Sequence, residues 1–326
     1  MRPEHLEQDA QVVLDSVQLD GMVVMKIIKH CRERHNGTVT GQLLGLDVDG
    51  CLEITNCFPL PQSNKHDDGS SITMYQMDML RSLRDVNADH NTVGWYQSAR
   101  HGSFITQSLI ETQFDYQKKL GEKCVVLIHD LSSTEKGNFN IRAYRLSKNF
   151  MRVFRHRDFT TANMRKLGIN CQTIFDELPV KVSNSTLAEV LLDELDTTER
   201  PITSDLSRLE LADSSRIERA IESLTEGIED WHHDQGQWLY WLRGAQRDTQ
   251  RIQQAMQKRK AENKERAAAG MPLLPDEPDD LPRVLPEPSR LDQMLTAHQM
   301  LTYSKQMENI SGTNITRLYT TKAVQK

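Results

Sequence analysis

Long apolar runs are missing from this sequence of 326 residues. No run approaches the roughly 18 residues of a membrane-spanning helix, and the first residues lack the apolar stretch of a secretory signal. Cysteine is scarce too: the five cysteines are odd in number and none forms a C-x-x-C pair. This argues against a disulfide framework and against a thiolate zinc site. We therefore expect a reducing compartment, the cytosol or the nucleus, and predict a cytoplasmic protein.

An excess of basic residues is also missing, because 46 acidic residues outnumber 40 basic ones and give a net charge of −6. This net charge excludes a strongly basic nucleic-acid-binding domain as the main interpretation. It does not exclude a local basic patch. The hydrophobic share of 37% is low for a compact globule. Part of the chain should therefore be polar helix or linker.

The placement of proline divides the chain. Six of the eleven prolines fall in the acidic stretch 271–288, which is typical of an exposed linker. We predict five segments: a mixed α/β domain at 10–150, a connecting region with short strands and helices at 151–204, a long helix or helical hairpin at 205–270, the linker at 271–288, and C-terminal helices at 289–326.

Hydrophobic periodicity and turn residues predict the elements of the first domain. Asp20 is a suitable N-cap for a helix at 21–34, and the Asp49-Gly50 pair predicts a hairpin between 40–46 and 51–58. Helical spacing also runs from Ile72 to Val86. The remaining predictions are strands at 12–19, 93–96, 125–128 and 139–143 and a helix at 104–119.

The second half has helical spacing from Leu206 to Ile228, and Trp231, Trp238 and Trp241 continue it. This indicates one long helix or a hairpin broken near Gly236. The tryptophan stripe fits an internal core or a seam with partner helices. We favour partner packing, because a helix that is polar on all sides follows. Leu291 and Leu295 of the last amphipathic helix are further candidates for partner contact.

That polar segment, 246–266, has seven basic and three acidic residues, hence a charge of +4. RNA or ribosome contact is one interpretation, because attraction to phosphate needs no sequence motif. No aromatic stacking platform accompanies the charges, so a solvated helix is favoured.

The most informative segment is 93–104, V-G-W-Y-Q-S-A-R-H-G-S-F. It resembles the MPN/JAMM family, whose pattern G-W-Y-H-S-H-P-G continues as H-x-H-x7-S-x-x-D. The stretch 38–45, T-V-T-G-Q-L-L-G, takes the place of the family's E-V-M-G-x-L-x-G strand. The resemblance implies an α/β (α+β) MPN domain, with a mixed curved sheet flanked by helices, followed by an extended α-helical C-terminal region.

Active members of the family are zinc isopeptidases, and the resemblance shows which ligands this chain lacks. Thr38 takes the place of the catalytic glutamate, and Gln97 and Ala99 those of the two histidines. Gln107 and Ile110 take the serine and aspartate places in an ungapped alignment; a one-residue gap gives Thr106 and Leu109 instead. Without these ligands a catalytic zinc cannot be held. We therefore expect no catalytic residue, no metal and no cofactor.

The sequence gives only weak support for a substitute metal site or a cysteine nucleophile. A substitute metal site could involve His90, His101, Glu111 and Asp115, and the adjacent His232 and His233 invite the same idea. Cys57 or Cys124 could in principle be a nucleophile. In each case a structural or solvated role is the better interpretation. Adjacent histidines on a helix point to different faces, so they do not share a metal ion. A buried cysteine behaves as a small hydrophobic side chain.

Blocks outside the motif, such as K-I-I-K-H at 26–30 and A-Y-R-L at 143–146, extend the resemblance to family members that are non-catalytic subunits of translation initiation factor 3. It implies a structural and regulatory role on the small ribosomal subunit. The implied partners are a second MPN subunit (the F subunit of the same factor) and PCI-domain subunits in a C-terminal helical bundle. The alternatives are a scaffold role in a proteasome-lid or signalosome complex, and an active zinc isopeptidase.

Overall fold

The computed structural model describes residues 14–34, 37–61, 70–134, 139–196, 214–268 and 286–324. The predicted N-terminal boundary at residue 10, the helical spacing at Leu206 and most of the linker 271–288 lie outside these residues. Within the described parts of the chain, no helix is both long and apolar enough to cross a membrane.

The centre of the fold is one mixed sheet of eight strands, ordered β7-β6-β5-β4-β2-β3-β1-β8. Strand β1 is parallel to β3 and β8, and β4 is parallel to β5; the other neighbours are antiparallel. The strands are β1 Ser16–Asp20, β2 Thr40–Val48, β3 Cys51–Pro59, β4 Thr92–Ala99, β5 Val125–Asp130, β6 Ile141–Leu146, β7 Phe175–Leu178 and β8 Val180–Ser183.

Helices cover the sheet and continue past it. They are α1 Gly21–Glu33, α2 Ser70–Asp85, α3 Gln107–Leu120, α4 Leu131–Thr134, α5 Lys148–His156, α6 Thr161–Leu167, α7 Thr186–Asp196, α8 Ser214–Ala268 and α9 Leu291–Val324. A 3-10 turn spans Cys171–Thr173. The MPN-type architecture, with a mixed sheet, flanking helices and a C-terminal helical region, is confirmed.

Local chemistry explains where the first elements begin and turn. The Asp20 carboxylate accepts a hydrogen bond from the backbone N–H of Met22, as an N-cap does. Asp49 and Gly50 both have positive φ, 50° and 85°, as the tight hairpin turn between β2 and β3 requires. Both sequence predictions are confirmed.

Several boundaries differ from prediction. The strand placed at 139–143 runs from Ile141 to Leu146, slightly later than its alternating pattern predicts. The helix placed at 104–119 begins at Gln107, because the Thr106 side chain caps it by accepting from the backbone N–H of Leu109. The sheet also extends beyond the predicted boundary at residue 150, since β7 and β8 form its two edges.

The sheet buries a separate hydrophobic core on each face. One cluster includes Val23 and Ile27 of α1 with Tyr96 of β4. The other joins Trp95 of β4 to α3, α5 and the first turns of α9. The C-terminal helix is therefore part of the domain core.

Helix α8 is one continuous helix of 55 residues that continues through Gly236, as in the long-helix alternative and not as in a hairpin broken there. It runs antiparallel to α9: a Cβ at Gly227 would lie 3.1 Å from Met300, and the Gln293 amide donates to the Asp234 carbonyl over 2.9 Å. The guanidinium of Arg290 lies 4.6 Å from the ring centroid of Trp238. The hairpin is thus formed by α8 with α9 rather than within α8.

Candidate functional site

The segment that resembles the MPN motif forms β4, the loop 100–105 and the start of α3. Successive side chains of a strand point to opposite faces, so Trp95, Gln97 and Ala99 share one face of the sheet. Trp95 and Ala99 belong to the hydrophobic cluster beneath α3, and Gln97 is buried beside them. The two positions where a metal site needs imidazoles therefore share one face but carry an amide and a methyl group.

The α3 side of this site is equally apolar. Leu109 and Ile110 are both buried in the same cluster, so either alignment puts a hydrocarbon side chain where a ligating carboxylate is needed. Thr106 caps the helix, and the exposed Gln107 donates from its amide to Glu111 over 2.9 Å. Thr106 and Gln107 therefore support the helix start and bring no negative charge to it.

Thr38 precedes β2 on the exposed side of this site. The next residue, Val39, donates its N–H to the Ser98 hydroxyl and accepts from the Ser98 N–H, each over 2.8 Å. This pair aligns β2 with β4 next to Thr38, the residue to which the resemblance assigns the position of the family's glutamate. A threonine hydroxyl cannot take a proton from water as a carboxylate can.

The donor set does not fit zinc. Zinc in proteins is held by thiolate, imidazole and carboxylate groups, and a catalytic site needs three of them. The positions found here supply an amide, a hydroxyl and hydrocarbon groups. Within the described residues, no group of three His, Cys, Asp or Glu side chains is placed to hold a metal ion, and this includes the neighbourhood of His90, His101, Glu111 and Asp115.

Helix α9 covers the loop that follows β4. The Gln299 amide donates to the Gly102 carbonyl over 2.8 Å and accepts from the Ile105 N–H over 3.1 Å. In the orientation that satisfies its amide, Gln306 donates to the His101 carbonyl over 2.9 Å and accepts from the Gly102 N–H over 3.2 Å. A cavity of about 20 Å³ remains between Ala99 and α9. The groove beside the altered site is therefore filled by the chain itself.

Two buried glutamines of α3 fix that helix on the sheet. Gln113 accepts from the Trp95 indole N–H over 2.7 Å and donates to the Cys124 carbonyl over 3.1 Å. Gln117 makes a matching pair of hydrogen bonds with the backbone of Leu146. Sequence reasoning missed both residues; glutamines at i and i+4 on the apolar face of a helix were the available signal.

The two candidate cysteine nucleophiles are protonated thiols. Burial raises the pKa of Cys57 to about 11 and the pKa of Cys124 to about 12. A nucleophilic cysteine needs a thiolate, and its environment usually lowers the pKa towards neutrality. Both side chains pack in the sheet, as the structural interpretation predicts.

The tryptophan stripe lies on α8. Trp231, Trp238 and Trp241 are each half-buried, and the rings of Trp238 and Trp241 have centroids 6.5 Å apart. Arg290 covers one side of Trp238. The structure thus brings these residues to the end of the α8–α9 hairpin, partly covered from within the chain.

Leu291 and Leu295 require a correction. The sequence predicts partner contact for both, but both are buried in the chain's own core with Ala99 and Leu109. Amphipathic spacing shows that a helix face is covered but not which surface covers it. These two leucines hold α9 on the domain.

Exposed apolar side chains lie elsewhere on the domain. Helices α1 and α2 each expose two methionines: Met22, Met25, Met74 and Met77. A groove of about 390 Å³ lies between these helices and β3, with Tyr96 in its lining. The Tyr96 hydroxyl is 2.8 Å from His30 Nδ1. Methionine adapts its shape to a partner, so this surface, which we call the α1–α2 face, is suited to protein contact.

Comparison with known families gives two matches, and the boundary between them falls within the sheet, near β5. Residues 13–122 match the family described as JAB1/Mov34/MPN/PAD-1 ubiquitin protease. Residues 134–326 match the family described as the C-terminal region of eIF3h.

Individual relatives match over nearly the whole length. The chain is 40% identical over 314 residues to the H subunit of eukaryotic translation initiation factor 3 from Arabidopsis thaliana, covering 94% of this chain and 92% of the relative. It is 39% identical to the protein of that name in Xenopus tropicalis, covering 97% and 95%. The Dictyostelium discoideum protein is 36% identical, with 96% and 95% covered.

Proposed function

The chain belongs to the H-subunit family of eukaryotic translation initiation factor 3, and we propose that it is a non-catalytic structural and regulatory component of that factor, acting in the cytoplasm on the small ribosomal subunit. The observation that carries the proposal is the extent of the match. It includes the C-terminal helices as well as the MPN domain, whereas a shared MPN domain alone would leave the type of complex open.

The lack of catalysis is supported by two independent features. The positions that would hold and activate a zinc-bound water are Thr38, Gln97, Ala99 and a buried leucine or isoleucine. In addition, α9 covers the loop after β4, because Gln299 bonds the backbone of Gly102 and Ile105. Loss of the ligands removes the chemistry, and the helix covers the loop beside these positions.

Pairing with a second MPN subunit, the F subunit of the same factor, is proposed for the α1–α2 face. The exposed methionines Met25 and Met77 provide adaptable apolar contact, and Lys26 and Lys29 border the groove between the helices. Apolar contacts within a polar border are typical of a protein interface.

The PCI-domain subunits are proposed to pack on the distal part of α8, beyond the point where α9 begins. Leu239 and Tyr240 are exposed there, next to the half-buried Trp241. The charged stretch 246–266 follows on the same helix. An apolar patch next to a polar helix with a charge of +4 fits packing among partner helices better than direct RNA binding, for which no aromatic platform is present in the described part of the stretch.

The direct test is purification of the tagged full-length chain from lysate, read by mass spectrometry and by co-sedimentation with small ribosomal subunits. We expect co-purification of the F subunit, PCI-domain subunits and small-subunit proteins.

Met25→Glu with Met77→Glu should release the F subunit while the chain stays folded. The matched control is Met164→Glu, at a residue that packs against the chain's own core. This change should lower the stability of the whole chain and should not release the F subunit selectively.

Other outcomes would overturn the proposal. Recovery of proteasome-lid or signalosome subunits would move the function to that class of complex while keeping the fold. About one zinc ion per purified chain, together with isopeptidase activity, would contradict the non-catalytic role.

A further inference from the structure

Helix α7 is the most apolar exposed surface among the described residues. It follows β8 and exposes five large aliphatic side chains, with relative exposures from 43% to 83%: Leu187, Val190, Leu191, Leu192 and Leu195. Leu187, Val190 and Leu191 stand at i, i+3 and i+4, which puts them on one stripe of the helix. None of these side chains belongs to either core cluster of the described chain.

The start of α7 is fixed to the domain. Strand β8 pairs with β1 at the sheet edge, and the Asn184 side-chain oxygen, just before α7, accepts from the Gly21 N–H over 3.0 Å. The Ser185 hydroxyl accepts from the Ala188 N–H over 3.4 Å and caps the first turn. The leucine stripe is therefore presented from a defined place on the domain, beside the start of α1.

The charge of α7 indicates what can cover the stripe. Its polar residues include Glu189, Asp193, Glu194 and Asp196, and the helix contains no lysine or arginine. Anionic lipid and RNA would both be repelled by this surface. Three of the four acids lie near the C-terminal end, where the helix dipole is already negative. Lysine or arginine from a partner at that end would neutralise the Asp193 carboxylate and the dipole together.

We propose that α7 binds, as an amphipathic helix, in an apolar groove of another protein subunit, with lysine or arginine residues of that subunit bordering the groove next to the C-terminal end of α7. The inference rests on the proposed function, because the subunit is sought within the initiation factor. Helix-in-groove binding places apolar residues at i, i+3 and i+4 in the groove and leaves the charged face to select the partner.

The first test locates the partner surface. The factor is purified through the tagged full-length chain and treated with a carbodiimide, which joins carboxylates to lysine amines without a spacer. We expect Glu189 or Asp193 to be linked to lysines of one other subunit, clustered around an apolar groove. Links only to lysines of this chain, links to ribosomal proteins, or no links from α7 would overturn the proposal.

The second test measures binding of the full-length chain to the subunit so identified. Leu187→Ser with Leu191→Ser should weaken binding at least tenfold. Asp193→Lys should also weaken it and should reduce its dependence on salt, because the attraction at the border of the groove is electrostatic. The matched control is Ile315→Ser with Leu318→Ser, two exposed aliphatic residues on α9, which should leave this binding unchanged.

The two proposals fail in different ways. If the α7 variants bind and enter the factor as the unmodified chain does, the inference about α7 is wrong and the proposed function stands. If the unmodified chain does not purify with the factor at all, both are wrong. Circular dichroism of each variant checks that the helical content is retained, which these exposed positions should allow.

Discussion

Gln299 and Gly102 lie 197 residues apart in the sequence, yet the Gln299 amide donates to the Gly102 carbonyl over 2.8 Å. The same side chain accepts from the Ile105 N–H, so one glutamine of α9 satisfies two backbone groups of the loop that follows β4. The C-terminal helix thereby completes the domain beside the positions that the MPN motif occupies.

Replacing Gly102 should cost more than replacing Gly168. Both glycines have positive φ, 72° and 64°, so alanine strains the backbone of each by about 1 kcal/mol. A Cβ at Gly168 meets open space, whereas one at Gly102 would displace the Gln306 amide. We expect Gly102→Ala to lower the free energy of unfolding by about 1–2 kcal/mol more than Gly168→Ala, measured by urea denaturation. Equal losses would mean that α9 does not stabilise this loop.

Gln113→Leu should destabilise the domain although leucine keeps the apolar character of the site. The change leaves the Trp95 indole N–H and the Cys124 carbonyl buried without their partner. We expect a loss of about 3 kcal/mol in the free energy of unfolding. Gln107→Leu, at an exposed position of the same helix, is the control and should change stability by less than about 0.5 kcal/mol. Similar effects of the two changes would contradict the role given to Gln113.

Stability should fall as the pH is lowered below neutrality. Burial lowers the pKa of His30, His129 and His298 below the ordinary value of 6.5. The unfolded chain therefore binds protons at these sites more readily than the folded chain, so stability is complete above about pH 6.5 and declines as the pH falls through and below that value. Urea midpoints at pH 7.5 and 5.5 measure the decline, and His298→Asn should reduce its slope. A urea midpoint that is higher at pH 5.5 than at pH 7.5 would contradict this prediction.

Thiol reactivity should separate the cysteines into two groups. Burial raises the pKa of Cys31 and Cys124 to about 12 and that of Cys57 to about 11, whereas Cys51 and Cys171 are half-buried. Native protein treated with a thiol reagent at pH 8 should be labelled at Cys51 and Cys171 only, and denatured protein at all five. Mass spectrometry of the labelled peptides gives the result. Rapid labelling of Cys57 would show that the α1–α2 face opens in solution.

Local signals make the N-terminal elements predictable. Asp20 and the Asp49-Gly50 pair act on backbone within two or three residues, so their effect is readable without knowing the rest of the fold. The altered metal site is readable as well, because Gln97 and Ala99 are identified by a short motif on one strand. The structure adds that these two positions face a closed hydrophobic cluster.

Contacts between distant segments could not be predicted. The spacing of Leu291 and Leu295 indicates a covered helix face, but their cover is the core around Ala99, which no local pattern specifies. Of the two alternatives for α8, the long helix is found and the hairpin broken at Gly236 is not; a single glycine costs only about 1 kcal/mol in a helix, which the surrounding turns can offset. The edge strands β7 and β8 have four residues each, too few for a clear alternating pattern.

The length of α8 determines how far its C-terminal end lies from the sheet. Its 55 residues correspond to about 80 Å at 1.5 Å per residue, and its pairing with α9 ends near Trp238 and Arg290. The following 30 residues, Leu239 to Ala268, therefore extend about 45 Å past the hairpin. A stiff rod of this reach works as a spacer, so deleting seven residues from it should move whatever binds its tip about 10 Å closer to the sheet while keeping the same helix face towards it.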